Sequence, residues 1–183
     1  MRRTYILFSK NIHETRARLP LVIRAITAAL MISHGLRLDS RLIIHLKKEN
    51  LNISFNVEKM RRVSPDEQSM KGVLSKALRT EVTKPKSVHP GIIVSKGKLE
   101  ELLRNKQHII FSDSRGTDVR QLGDVQSVTA IIPLTCFDED VKQLLVRRNA
   151  MPVKISKKLS TPDALITILN NELDRRWLIA KKS

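Results

Sequence analysis

The sequence predicts an α/β protein, with a mostly parallel sheet covered by helices on both faces. Three observations carry this. Short runs rich in β-branched residues alternate along the chain with stretches of helical periodicity. Capping residues and prolines mark several helix starts. Finally, 41% of the 183 residues are hydrophobic, enough for the core of one domain spanning 1–183.

In chain order, residues 5–8 read as a short strand. Residues 21–34 read as a helix, with Pro20 at its start and Gly35 as its stop. Two strands follow, 41–46 and 51–57, joined by the polar turn 47–50. Ser64, Pro65 and Glu67 form a capping box for a helix reaching about Arg79. Residues 80–90 form a basic connecting loop carrying Lys84, Pro85, Lys86 and Pro90. Beyond it come a strand at 92–94, a helix at 98–105 and strands at 108–111 and 127–132. A helix at 139–148 and a strand at 153–155 precede the last helix, which Thr161 caps, Pro162 opens and which reaches at least Trp177.

Lys and Arg number 34 against 18 acids, a net charge of +16. Such an excess repels itself in the compact state, so its natural counterpart is a polyanion. A membrane is not that polyanion: the longest apolar stretch, 19–32, is broken by Arg24 and is too short to span. With no signal-peptide pattern, the chain is expected in the cytoplasm. Cys136 is the single cysteine and the five histidines lack metal-binding spacing, so neither a disulfide nor a metal site is expected. RNA is the partner that remains. Six aromatic residues leave little for base stacking, so phosphate contact should dominate. The cations expected to supply it fall in groups. Arg16 and Arg18 follow the first strand, and Arg37 and Arg41 the first long helix. Arg61 and Arg62 precede the second, and Lys84 and Lys86 lie in the connection. Arg147, Arg148, Lys157, Lys158, Arg175 and Arg176 lie near the C-terminus.

Four short motifs occur in order: Ser33-His34-Gly35-Leu36-Arg37-Leu38-Asp39, Ser64-Pro65-Asp66-Glu67, His89-Pro90-Gly91-Ile92 and Asn171-Glu172-Leu173-Asp174-Arg175. In order and spacing they resemble the archaeal tRNA pseudouridine-N1 methyltransferases, the TrmY family of the SPOUT superfamily. The resemblance implies a deep C-terminal trefoil knot holding S-adenosylmethionine. It also implies a homodimer with the active site near the subunit interface and Asp174 and Arg175 close to it. The apolar face of the last helix, Leu165, Ile168, Leu169 and Leu173, is expected to pack at that interface.

The departures from the family fall where the cofactor should bind. Pro133-Leu134-Thr135-Cys136-Phe137 stands where the related enzymes carry a glycine-rich segment, and no glycine follows Gly123. Proline lacks an amide, and side chains obstruct close approach of a ligand to main chain. Ala164 or a neighbour stands where the family has a cysteine, and Arg18-Leu19-Pro20 is what remains of its Gly-Arg-x-Asp segment. The loop 112–116 keeps Asp113 and Gly116. The expectation is therefore a vestigial pocket around Phe111, Gly116, Ile132, Pro133, Leu134 and Ala164, with no cofactor and no catalytic residue. The expected function is that of a non-catalytic, rRNA-binding ribosomal protein. The alternative is an S-adenosylmethionine-dependent tRNA pseudouridine-N1 methyltransferase acting on the T-loop.

RNA affinity should fall steeply with salt. Each neutralised phosphate contributes about 0.9 to the slope of log affinity against log salt, so several engaged arginines give a slope of about 4 or steeper. Filter binding across a salt series measures it, and Arg61→Glu with Arg62→Glu should flatten it.

Overall fold

The computed structural model describes residues 2–33, 35–60, 67–123, 126–158 and 160–180. The elements in chain order are β1 (Arg2–Ser9), α1 (Ile12–Ala17), α2 (Leu19–Leu30), β2 (Met31–Ile32), β3 (Gly35–Leu36), β4 (Ser40–Leu46) and β5 (Leu51–Asn56). They continue with α3 (Glu67–Ala77), β6 (Lys86–His89), β7 (Ile92–Lys96), α4 (Leu99–Leu103) and β8 (Ile109–Asp118). The last are β9 (Ser127–Pro133), α5 (Glu139–Arg147), β10 (Met151–Lys154) and α6 (Pro162–Ala180).

Eight strands form one sheet in the order β10-β8-β9-β1-β4-β5-β7-β6. The run from β10 to β4 is parallel, and β5, β7 and β6 extend it as antiparallel neighbours. Both faces are covered, as the alternation along β1 shows. Tyr5 and Leu7 join the core under α2, α3 and α6, while Ile6 and Phe8 join the core under α4 and α5. Among the described residues no helix is long and apolar enough to cross a membrane.

Several elements differ from the sequence expectation. The helix expected over 21–34 ends at Leu30, because Ser40 Oγ (2.6 Å) and the Arg37 amide (2.8 Å) donate to the carbonyls of Ala29 and Leu30. The chain then folds back as the small β2–β3 hairpin through Ser33, at φ +46°. Helix α1 was not expected; Asn11 caps it, its side chain accepting from the Glu14 amide at 2.9 Å. The expected capping box lies outside the described residues except for Glu67, which opens α3. The connection expected over 80–90 is irregular only as far as Pro85. Its second half is β6, an edge strand whose exposed lysine and flanking prolines suit an unpaired edge.

The C-terminal helix is the clearest correction in packing. Leu169 and Leu173 are fully buried, in the core α6 shares with α2, so most of the face expected at a dimer interface is used within the protomer. Ile168 remains exposed.

The expected loop at 112–116 is an extrusion within β8. Phe111 pairs with Pro152 and Thr117 with Val153, so consecutive residues of β10 span the base of the excursion. Gly116 sits at that base. A Cβ there would lie 2.4 Å from the Pro152 carbonyl carbon and 2.5 Å from the Val153 nitrogen, both main-chain atoms. The glycine serves the crossing of two chain segments. Gly116→Ala should cost about 2–3 kcal/mol through this overpacking, measured by denaturant unfolding.

Candidate functional site

The parallel strands β8, β9 and β10 end at a crevice. From β8 the chain steps to β9, towards the sheet centre, and from β9 it returns past β8 to β10. Ligands of open α/β sheets bind at the carboxyl ends of strands where the order reverses in this way. Here the cavity measures about 560 Å³, within the roughly 300–1,000 Å³ of small-molecule sites. Its walls are 112–115, 133–137 and 154–158, with Ser160 just before α6 and Pro162 and Leu165 in the first turn of α6.

Pro133 opens the crevice. The Thr129 amide donates to the His108 carbonyl at 3.1 Å. By the two-residue alternation of strand amides, Ile131 and position 133 face β8 as well. The ladder between β8 and β9 runs to Phe111 and Ile131 and stops. Proline has no N–H with which to extend it, so the strands part.

The 133–137 wall is fixed by side chains. The Leu134 amide donates to the Phe8 carbonyl at 2.7 Å. Leu134 and Phe137 are buried, Phe137 stacking tilted on Phe8 and edge-on to Phe111. The Thr135 hydroxyl donates to Glu14 Oε1. Asp138 accepts from Lys10 (3.0 Å) and Lys47 (2.9 Å), and Lys47 also reaches Asp140 at 2.7 Å.

The expected pocket residues divide. Pro133 and Leu134 line the cavity. Phe111 and Ile132 lie buried on opposite faces of the sheet, Gly116 serves the β10 crossing, and Ala164 does not line the cavity, although Pro162 and Leu165 do. The third wall, with Ile155, Ser156 and Ser160, was missed; the β-branched strand running into it was its only sequence signal.

The expected RNA-binding cations divide too. Lys157 and Lys158 stand on the cavity rim beside Arg115, Lys142 and Lys154. Arg18, Arg41, Lys84 and Lys86, with Arg147 and Arg148, are exposed and form no ion pair with a described residue. Arg16 is exposed and donates to the Leu78 carbonyl. Arg176 is spent on structure: it pairs with Glu172 and donates to the carbonyls of Val119, Arg120 and Leu122. Arg175 also pairs with Glu172. Arg61 and Arg62 lie outside the described residues.

Arg37 belongs to a second cluster that joins two of the sequence motifs. Its Nη1 donates to both Asp174 oxygens at 2.8 Å. Arg3, 3% exposed, donates to Asp39, Asn170 and Asp174, each at 2.8 Å. The Tyr5 hydroxyl donates to Asn170 Oδ1 at 2.7 Å. Burial pushes the Tyr5 phenol well up, against the pull of Arg3 and Arg37, so it stays a donor. Burial opposes the charge on Arg3, but the carboxylates of Asp174 and Asp39 hold the guanidinium above its ordinary value. Leu36 and the exposed Ile32, Leu38 and Trp177 surround this cluster as an apolar groove of about 530 Å³.

A family model described as "Putative SAM-dependent RNA methyltransferase" matches residues 7–178. The chain belongs to this RNA methyltransferase family. Within it, the tRNA (pseudouridine(54)-N(1))-methyltransferase of Methanocella arvoryzae is 30% identical to this methyltransferase-family chain over 168 residues, 87% of this chain and 86% of that protein. The protein of the same name from Methanococcoides burtonii is 28% identical over 179 residues, 92% of this chain and 89% of that one. The structure of Archaeoglobus fulgidus Nep1 bound to S-adenosylhomocysteine covers 97% of this chain and 100% of its own, with a TM-score of 0.67 at 13% identity. That likeness establishes the SPOUT fold.

Two expectations are thereby overturned. The absence of a cofactor conflicts with a family described as SAM-dependent. The non-catalytic ribosomal role conflicts with relatives named as tRNA methyltransferases. The physical error lay in counting glycines. The crevice is walled by side chains and by a strand whose pairing stops before Pro133, so a shortage of glycines does not close it.

Lys47 first, with Lys10 behind it, holds the Asp138 carboxyl below the ordinary carboxylate range, against the opposing effect of burial. Stability from a depressed carboxyl is fully present above its unfolded value and is lost as pH falls through the folded one. Asp138→Asn should therefore cost about 1 kcal/mol near pH 7 in denaturant melts, and the cost should shrink as pH falls through the folded value.

Proposed function

We propose that this chain transfers a methyl group from S-adenosylmethionine to N1 of pseudouridine 54 in the tRNA T-loop. The observation that carries this reading is the three-walled crevice at the strand-order reversal. Its residues fit the cofactor. Leu134, Phe137, Ile155 and Leu165 supply apolar surface for a nucleoside, and the hydroxyls of Ser112, Ser156 and Ser160 supply partners for its polar edges. When bound, the cofactor supplies an electrophilic methyl group on a sulfonium.

The chain's own residues do the rest. The rim cations Arg115, Lys142, Lys157 and Lys158 draw RNA phosphates to the mouth of the crevice. Methylation at N1 releases a proton. Asp113, the carboxylate in the lining among the described residues, takes it. Its Oδ1 accepts from the Arg115 amide at 2.9 Å, leaving Oδ2 for the proton.

The unit that acts is a homodimer, built through the groove of Ile32, Leu36, Leu38 and Trp177 beside the Arg3 cluster, with the C-terminal segment threaded as the SPOUT knot. An apolar groove of this kind, rimmed by charge, is typical of an association surface.

Calorimetry with S-adenosylhomocysteine and methyl transfer to a pseudouridine-containing T-loop hairpin test the reading. Low micromolar binding and transfer are expected. Asp113→Asn should lower transfer about a hundredfold while leaving affinity for S-adenosylhomocysteine nearly unchanged. No binding at about 1 mM, an affinity of only about −4 kcal/mol, overturns the reading. Leu38→Lys should give a monomer in sedimentation velocity.

A further inference from the structure

We infer that Glu14 is a positioning residue that sets the 133–137 wall of the crevice from outside the sheet. The inference rests on the methyl-transfer reading for what the crevice holds. Glu14 lies in the first turn of α1, far from the crevice in sequence and absent from its lining. Its backbone is held by the Asn11 cap. Its Oε2 accepts from the Lys10 amide at 2.7 Å and the Ser9 hydroxyl at 2.9 Å. Ser9 is fully buried and in turn accepts from the buried Thr15 hydroxyl at 2.9 Å. These bonds satisfy the local needs of the β1–α1 turn with one carboxylate oxygen. The other oxygen accepts from the exposed Thr135 hydroxyl in the crevice wall. A carboxylate serving only as a cap has no use for that second bond.

The wall gives the bond its importance. Leu134 is fixed by burial and by its amide, Phe137 by burial, and Asp138 by Lys10 and Lys47. Thr135 and Cys136 are the exposed residues between these anchors. Glu14 fixes the first and Lys10 contacts the second. The whole wall is thus gripped from one short turn, residues 8–14, and the direction of its exposed part depends on Glu14. A hydrogen bond to a charged acceptor is among the stronger of its class, so its loss frees the wall and lowers affinity for what the wall contacts.

The test measures S-adenosylhomocysteine affinity by calorimetry, RNA affinity by filter binding, and hydrogen exchange of residues 134–138. Glu14→Ala and Thr135→Val should each weaken S-adenosylhomocysteine about tenfold. The double variant should be no weaker than either, since both remove one interaction. Thr135→Ser, which keeps the hydroxyl, should restore affinity, and RNA affinity should not move. Exchange across 134–138 should quicken in Glu14→Ala, with β1 and β9 unchanged. Wild-type affinity in both single variants, or additive losses in the double, overturns the inference. If Glu14→Ala does not fold, the exposed Thr135→Val decides alone. If the wild-type protein fails to bind S-adenosylhomocysteine, the methyl-transfer reading falls. Exchange then judges the positioning role separately: an unchanged rate in Glu14→Ala or Thr135→Val removes it.

Discussion

Everything at the functional end of this molecule depends on the parting of β8 from β9 beyond Phe111 and Ile131. Up to that point the parallel strands are knit by amides that alternate from one neighbour to the other. At the next amide that should face β8 stands Pro133, and the ladder has no donor. The shape of this end of the sheet is a consequence of that missing donor. Residues 112–116 of β8 leave the ladder, β10 resumes its pairing with β8 at Thr117, and the space beside the excursion becomes the crevice. A proline that reads as an impediment to ligand binding in one dimension is, in three, the reason there is a space to bind in.

The second organising feature is electrostatic. Arg3 and Arg37 are balanced by Asp39 and Asp174 inside the fold, and the cluster ties the central strand β1 to α6 and to the turn before β4. Partners matter for buried charges because each desolvated ion must recover its lost hydration. The basic residues thus perform two different tasks. Those such as Arg3, Arg37 and Arg176 hold segments of chain together, and their charge is neutralised by the protein. Those such as Lys157, Lys158, Arg147 and Arg148 remain in solvent, and it is they that give the surface its excess.

The architecture was legible in the sequence because periodicity reports burial, and burial here is regular. The continuous apolar run of residues 5–8 and the largely apolar run 41–46 mark strands with a helix layer on each side. The β1–α1 turn was not legible, because a helix as short as Ile12–Ala17 shows no periodicity and only Asn11 and Glu14 mark it. β6 was hidden by its lysines and prolines, residues that belong equally to loops and to strand edges. For the site, motif order led to the right family, while the 133–137 and 112–116 segments were read as a vestigial pocket because they lack glycines. The third wall escaped because only the strand running into it has a sequence signal, and Glu14 escaped because a contact between residues 14 and 135 leaves no trace in local pattern. The division of cations into structural and free was equally invisible, since Arg37 and Arg41 look alike until Asp174 is brought beside one of them.

The crossing at Gly116 bears on how the protein is made. The base of the 112–116 excursion is closed by Pro152 and Val153, which follow β9 and all of α5 in the chain. Three segments, 112–115, 133–137 and 154–158, build the crevice, so it is complete only once β10 has docked on β8. That docking is the last step in forming it. A ligand seated between its walls binds only the finished state and would draw the last step to completion.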